Sequence, residues 1–182
     1  MLDRLVKAVG FVVGVFFLAG APAASQAPLS IRDVMSYSFA SGLVASQTAD
    51  RIAWFENREG ERNIWVAEGP LWEGRQLTDY TGDDGQELAS LVFMPDADRL
   101  LFVRGGAPNR QGEIPDPLFT PDEEGRAIWV VPFAGGVPAQ IMEGGGFALS
   151  PRGDRIAFSR GRDLMELPLA EGAEPRRLAR LR

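Results

Sequence analysis

A five-residue pattern recurs three times along the chain and constrains the fold more than any other feature. Each copy is an Asp-Arg pair followed by two aliphatic residues and an aromatic one, and the copies begin at Asp50, Asp98 and Asp154. They lie 48 and 56 residues apart, a spacing typical of propellers, solenoids and other repeat arrays. The chain is therefore predicted to consist of similar structural units rather than one irregular domain.

Two further signatures follow each copy in the same order. The first is an Ile-Trp segment, degenerate in the third copy, at 64–65, 128–129 and 164–165. The second is an apolar residue 13 or 14 positions later, at Leu77, Ile141 and Leu178. Turns that contain proline precede the second and third copies of the Asp-Arg pattern. Apolar runs bounded by Gly, Pro, Asp and Asn indicate strands, and four short antiparallel strands per unit form a propeller blade.

The predicted fold class is all-β, a partial β-propeller over 41–182 with about three four-stranded antiparallel blades. The blades are expected at about 41–78, 79–142 and 143–182, after a segment leading into the propeller at 25–40.

The repeated aromatic residues are interpreted as packing between blades rather than as ligand contacts. They are Trp54, Trp65, Phe102, Trp129 and Phe158. Both faces of the Asp-Arg strand are apolar, which predicts a strand buried on both sides. The Asp-Arg pairs are interpreted as turn chemistry and surface pairing rather than catalysis.

Residues 1–24 have the features of a signal-peptide helix. Arg4 and Lys7 supply the charged start, and the apolar run at 8–20 is 13 residues long, shorter than the roughly 20 needed to span a membrane. Small residues at 21–24 provide an A-x-A type cleavage site, with an uncleaved anchor as the alternative. The rest of the chain is expected to be exported, periplasmic or secreted, with only transient membrane contact, and bacterial by default.

The composition excludes several kinds of function. The chain has no cysteine and no histidine, which removes disulfides, thiolate nucleophiles and a Ser-His-Asp triad. Its net charge is −6 without a basic cluster, so nucleic acid is not an expected partner. No catalytic residue, cofactor or metal site is predicted within the chain.

Several segments resemble known propellers. Residues 150–158, Ser-Pro-Arg-Gly-Asp-Arg-Ile-Ala-Phe, are similar to the PD40 (WD40-like) repeat of TolB and of S9-family serine peptidases, the prolyl oligopeptidase group. Residues 76–88 resemble the L-T-x-x-x-x-D-D-G-Q-E-L segment between blades of exported S9 peptidases, and residues 104–115 resemble their second-blade insertion. These longer matches favour the S9 family over TolB.

This resemblance implies a function that the chain does not carry alone. In S9 peptidases of the dipeptidyl, acylaminoacyl and oligopeptidase classes, the propeller precedes an α/β-hydrolase domain with a G-x-S-x-G nucleophile motif, which this chain lacks. The chain is therefore expected to be the non-catalytic portion that gates access of short peptides to a hydrolase domain. The alternative is a TolB-like periplasmic propeller that binds a protein partner without enzymatic activity.

A long loop in the second unit is the candidate site. In this unit 29 residues separate the repeated arginine from the Ile-Trp segment, against 13 and 9 in the other two. Glu113, Glu123 and Glu124 lie in this loop. In dipeptidyl-peptidase members of the resembled family, acidic residues on a propeller protrusion bind the amino terminus of the substrate, which implies that role here. The alternative is a solvated loop.

A second acidic segment invites a calcium interpretation, because hard cations prefer oxygen ligands. It contains Asp79, Asp83, Asp84 and Glu87. Its spacing lacks the alternation of a calcium-binding loop, so the segment is expected to be a turn between blades.

Overall fold

The computed structural model describes residues 30–106 and 125–180. The predicted signal peptide at 1–24 lies outside the described residues. The described part begins with a single helical turn, α1 (Ile31–Met35). None of its helices is long and apolar enough to cross a membrane.

Three four-stranded antiparallel sheets, which we name the first, second and third blades, make up the rest of the fold. The first blade contains β1 (Phe39–Ala45), β2 (Arg51–Arg58), β3 (Glu61–Glu68) and β4 (Arg75–Gln76). The second contains β5 (Leu88–Phe93), β6 (Arg99–Arg104), β7 (Ala127–Pro132) and β8 (Ala139–Glu143). The third contains β9 (Phe147–Leu149), β10 (Arg155–Arg160), β11 (Asp163–Pro168) and β12 (Arg176–Arg180). Strands pair in chain order within each blade, which confirms the predicted all-β, partial propeller.

Strand β6 shows how the blades stack. Leu100 and Phe102 face the first blade, whereas Leu101 and Val103 face the third, and all four are fully buried. Side chains alternate between the two faces of a strand, so a run of four apolar residues fills two different cores. The second blade is therefore the middle layer of the stack, with both faces buried.

The cluster between the first and second blades, here the first interface, combines apolar packing with arginine contacts. Its buried members are Ala53, Ile64, Val66, Leu77, Leu91, Phe93, Leu100, Phe102, Val131 and Phe133. The rings of Phe93 and Phe133 lie 6.1 Å apart. The guanidinium groups of Arg51 and Arg75 lie 4.3 and 5.0 Å from the centre of the Phe133 ring, within the range of a cation–π contact.

The cluster between the second and third blades, here the second interface, has an apolar buried core. Its buried members are Met94, Leu101, Val103, Ile128, Ile156, Phe158 and Leu167. Across the described ranges 30–106 and 125–180, no side-chain hydrogen bond or ion pair joins these two blades. The two interfaces thus share a backbone arrangement but differ in polarity.

The three repeated arginines make three different sets of ion pairs. Arg51 Nη1 lies 2.8 Å from Asp98 Oδ1 of the next blade, and Arg51 also pairs with Glu68 of its own blade. Arg99 instead pairs with Asp96 in its own turn. The third arginine, Arg155, pairs with its neighbour in sequence and with a glutamate of β11. The expected surface pairing is present, and only the first copy uses it to connect two blades.

The turns before β6 and β10 place Ala97 and Gly153 at equivalent positions. Both have positive φ, of 58° and 70°. A Cβ atom placed on Gly153 would lie 2.5 Å from Pro95 Cδ in the second blade, closer than real Cβ contacts. Because alanine is accommodated at a similar φ at position 97, it is the close approach to Pro95 that requires glycine in the third blade.

The outer faces of the stack differ from its interior. Trp54 and Trp65 stack on each other, with centroids 6.4 Å apart, on the face of the first blade turned away from the second. They are only partly buried, so among the described residues they do not pack between blades as predicted. Phe102, Phe158 and Trp129 do pack between blades.

The outer face at the other side of the stack, on the third blade, is charged. Glu166 is 5% exposed and pairs with Arg155 and Arg176. These hydrogen bonds lower the pKa of the Glu166 carboxyl. The carboxylate occupies the strand position that Val66 holds in the first blade, where Val66 packs in the first interface. One outer face of the stack therefore presents stacked tryptophans and the other presents an ion-paired carboxylate.

Candidate functional site

The long loop between β6 and β7 leaves the stack at one end, which we name the loop end. The hairpins at 59–60 and 161–162 lie at the same end, because they join equivalent strands of the other blades. The connections between blades, 77–87 and 144–146, also run across it. The predicted site residues Glu113, Glu123 and Glu124 belong to 107–124, outside the described residues, so the structure gives only the root of the loop.

The root is held by close backbone packing. Gly105 has a φ of 116°, and a Cβ placed there would lie 2.6 Å from the Cα of Arg126. The N–H of Gly105 donates to the carbonyl of Glu87 at 2.9 Å, and the N–H of Gly144 donates to the carbonyl of Arg126 at 2.7 Å. Both ends of the loop are therefore fixed to the neighbouring connections.

Arg104 is the central side chain of the root. Its Nη2 lies 2.6 Å from Asp84 Oδ2, with the two side chains only 18% and 24% exposed. Its guanidinium also lies 4.5 Å from the centre of the Tyr80 ring. Partial burial makes this charge-assisted hydrogen bond stronger than an exposed ion pair. The connection between the first two blades is thereby attached to the strand from which the loop departs.

A second ion pair attaches the same connection to the first blade. Asp83 Oδ1 accepts from Arg62 Nη1 at 3.0 Å and from the Gly85 N–H at 3.2 Å. The hydrogen bond from Arg62 is the largest contribution that holds the pKa of Asp83 below its usual value. Two carboxylates of the predicted acidic segment are therefore engaged with arginines. Within the described part of the chain, no group of three or more acidic residues is arranged to hold a metal ion.

A buried polar network fixes the start of this connection and was missed by sequence reasoning. Asn63, which is 3% exposed, accepts from Thr78 Oγ1 at 2.9 Å and from the Tyr80 N–H at 2.8 Å, and its Nδ2 donates to the Tyr80 carbonyl at 2.9 Å. The Thr78 hydroxyl accepts in turn from the Ile64 N–H at 2.9 Å. An asparagine inside an apolar strand is the signal that could have indicated it, because such residues are depleted in strands.

The loop end presents arginine side chains of two blades. Guanidinium groups stay protonated at all ordinary pH values and act only as donors. Arg62 and Arg104 are held in ion pairs, and Arg126 Nε has no hydrogen-bond partner among the described residues. The described residues around the root of the loop are therefore rich in arginine.

Comparison with solved structures gives similarity of fold. An acylaminoacyl peptidase from Pyrococcus horikoshii matches with a TM-score of 0.51 and 19% identity, over 78% of this chain and 25% of that one. An acylaminoacyl peptidase in complex with Z-Gly-Gly-Phe-chloromethyl ketone matches with 0.52 and 18%, at the same coverage. TolB from Acinetobacter baumannii has a TM-score of 0.28 and 13% identity, over 70% and 42%. No protein-family model matches the chain, and no curated protein does.

The two peptidase matches show that this arrangement of blades is shared with part of those proteins. At such low identity they show the fold alone, and the TM-score of the TolB match is too low to carry an argument. The chain spans about a quarter of the length of the acylaminoacyl peptidases that it matches.

Proposed function

We propose that this chain forms the non-catalytic propeller portion of an exported S9-type serine peptidase, where it limits access to a hydrolase domain to short peptides. The observation that carries the proposal is the fold similarity to two acylaminoacyl peptidases, of which the matching part of this chain covers 25%. The resemblance of residues 76–88 to the segment between blades of S9 peptidases supports it. The chain itself contributes shape and recognition, since it has no histidine to act as a general base.

The proposed gating rests on a closed ring of blades, of which the described residues form three. A rigid ring of sheets leaves an opening too narrow for folded proteins, while extended peptides can pass. Rigidity here depends on the two interfaces and on the ion pairs of Arg104 with Asp84 and Arg62 with Asp83, which attach the connection between blades to the sheets.

The direct test is the complete reading frame that encodes this chain. We expect an α/β-hydrolase domain with a G-x-S-x-G motif downstream, and purified full-length protein that cleaves peptides of a few residues but not folded or long polypeptides. Further blades followed by a stop codon, with no peptidase activity, would contradict the proposal and favour the TolB-like interaction propeller.

Export is the second element of the proposal and has its own test. Expression of the full-length protein in a bacterial host should give a mature form in the periplasm or medium that begins after Ala23 or Ala24. Protein that stays in the cytoplasmic fraction with residues 1–24 intact would contradict export. Protein in the membrane fraction with the leader intact would identify an uncleaved anchor.

The acidic loop is proposed to bind the amino terminus of the substrate through Glu113, Glu123 and Glu124. A carboxylate that faces an ammonium group in a partly dry cavity forms charge-assisted hydrogen bonds worth about 1.5–3 kcal/mol each. In the full-length enzyme, changing Glu123 and Glu124 to glutamine should raise KM for substrates with a free amino terminus about tenfold or more. KM for the same peptides with an acetylated amino terminus should not change.

The matched control is Glu174→Gln, which alters an exposed acid in the loop between β11 and β12, at the opposite end of the stack. It should leave KM for both substrates unchanged. Equal KM values for the wild type and the double variant on free-amino-terminus substrates would show that the loop is merely solvated.

A further inference from the structure

A cavity of about 330 Å³ lies between the second and third blades, at the end of the stack opposite the long loop. Its apolar walls are formed by Met94, Leu101, Val130, Ile141, Leu167 and Leu169. The charged side chains of Arg99 and Glu171 also line it. An apolar cavity of about 150 Å³ is enough to bind benzene, so this one has room for an aromatic ring with a short polar chain.

The first interface shows what can occupy this space. The N–H of Phe133 donates to the Asp98 carbonyl and the N–H of Leu169 donates to the Asp154 carbonyl, both at 2.8 Å. Phe133 and Leu169 therefore hold equivalent positions after the third strand of their blades. In the first interface the Phe133 ring fills the position, whereas in the second interface the shorter Leu169 leaves the cavity.

The arginine contacts differ in the same way. Arg51 lies over the Phe133 ring and also binds the Asp98 carboxylate of the next blade at 2.8 Å. Its equivalent in the second interface, Arg99, lines the cavity and pairs with the exposed Asp96 of its own turn. Asp154, the equivalent of Asp98, is hydrogen-bonded to Arg155 and Ser150. Among the described residues of the third blade, therefore, no aromatic ring lies over Arg99 and no carboxylate forms an ion pair with it.

We propose that this cavity is a binding site for a small aromatic carboxylate, whose ring occupies the space that Phe133 fills in the first interface and whose carboxylate binds Arg99. The apolar walls favour the ring, and a guanidinium at the edge favours a carboxylate through charge-assisted hydrogen bonds. This inference does not depend on the proposed peptidase function, since the site lies away from the loop end.

The probe is 3-phenylpropanoate, titrated into the full chain and followed by amide chemical shifts and by isothermal calorimetry. Benzyl alcohol, which has the ring without the charge, and 2-phenylethylamine, which has the opposite charge, are the comparison ligands. We expect 3-phenylpropanoate to bind about tenfold or more tightly than benzyl alcohol, because one charge-assisted contact is worth at least that factor. Tighter binding of the amine would show that Glu171 directs recognition, and would overturn the proposal.

Two variants test the two parts of the site. Leu169→Phe supplies the ring of the first interface and should abolish binding of all three ligands while leaving the thermal midpoint unchanged or higher. Arg99→Gln should weaken 3-phenylpropanoate about tenfold and leave benzyl alcohol unaffected, which also shows that the cavity is still formed. Leu178→Phe, an exposed position on β12, is the control and should bind like the wild type.

The result that would overturn the proposal is equal binding of 3-phenylpropanoate by the wild type and Leu169→Phe, or equal binding by the wild type and Arg99→Gln. L-phenylalanine distinguishes two sources of the same chemistry. Binding as tight as that of 3-phenylpropanoate would identify an amino acid or peptide carboxyl terminus as the ligand, while weaker binding would identify a simple aromatic acid.

Discussion

The two interfaces are built from equivalent strands and are sealed in different ways. In the first, Arg51 crosses from one blade to the next to bind Asp98 and the Ala97 carbonyl, and the Thr48 hydroxyl donates to the Pro95 carbonyl. The second has an apolar core, a close backbone approach of Gly153 to Pro95 and an open cavity. The same backbone arrangement thus supports an interface closed by polar contacts or an apolar interface that contains a cavity.

A few substitutions between the repeats account for the difference. Phe133 of the second blade is replaced by Leu169 in the third, which removes the ring under the arginine. Arg75 lies over Phe133 and donates to its carbonyl, whereas the equivalent position at the start of β8 is Ala139. These changes leave the strand pairing intact, because backbone hydrogen bonds define the blade and side chains define the interface.

The largest expected effect comes from two neighbouring leucines of β6 that face opposite interfaces. Leu100→Ala should destabilise the chain by about 2–5 kcal/mol, since it opens a hole in a filled core. Leu101→Ala should fall at the lower end of that range, because Leu101 already borders a cavity and has fewer contacts to lose. Denaturant unfolding of both variants measures the difference. A larger loss for Leu101 would mean that the second interface is the better packed one.

The next effect tests the close approach in the second interface. Gly153→Ala should destabilise by about 1–3 kcal/mol, because alanine is strained at a φ of 70° and its Cβ would overlap Pro95. Gly172→Ala is the matched control, with a φ of 72° and no atom within 4 Å of the added Cβ, and should cost only the strain of about 1 kcal/mol. Equal losses for both variants would show that the third blade moves away from Pro95 easily.

The fold could be predicted from the sequence because the repeated residues act locally: they form strands and turns with their neighbours in the chain. The continuous apolar run in β6 predicted burial on both faces, and proline and glycine marked the turns. The pairing of the arginines could not be predicted, because the same Asp-Arg dipeptide pairs across blades at Arg51 and within a turn at Arg99. Such choices depend on which side chain the next blade presents.

The candidate site was accessible to sequence reasoning in part. The length of the loop between β6 and β7 was evident from the spacing, whereas its root was not, because it depends on contacts between distant segments. Arg104 contacts Asp84 and Tyr80, which lie in the connection between the first two blades. Asn63 accepts a hydrogen bond from Thr78 of the same connection. The cavity could not be predicted either. Its cause is the smaller side chain of Leu169 at the position of Phe133, and only the structure shows that these two positions are equivalent.

A smaller effect is expected from the ion pair that crosses the first interface. Arg51→Met and Asp98→Asn, with the double variant, form a cycle whose coupling energy should be about 0.5–1 kcal/mol, because Asp98 is largely exposed. The coupling should shrink when salt is raised from 0.05 to 1 M. The same cycle on Arg99 and Asp154 should give no coupling. A coupling there equal to that of the first pair would remove the distinction between the interfaces.

The smallest expected effect is a dependence on acid that involves the connection between the first two blades. The hydrogen bond from Arg62 lowers the pKa of Asp83 in the folded chain below its ordinary value of 3.8. A carboxyl with a lowered pKa stabilises the fold above the unfolded-state pKa, and this contribution is lost as the pH falls through the folded-state pKa. In the wild type, the midpoint of unfolding should fall between pH 5 and pH 2. In Asp83→Asn this fall should be smaller, because the variant has no carboxylate at this position to protonate.

The control for this measurement is Asp79→Asn, in the same connection, because Asp79 forms no ion pair within the described ranges. Its acid response should match that of the wild type. The amide of Gly85, which donates to Asp83, should lose protection from hydrogen exchange over the same pH range, while amides of β10 should keep theirs. Simultaneous loss of protection at both places would mean that acid unfolds the stack as one unit, so that the connection between the first two blades has no separate stability to lose.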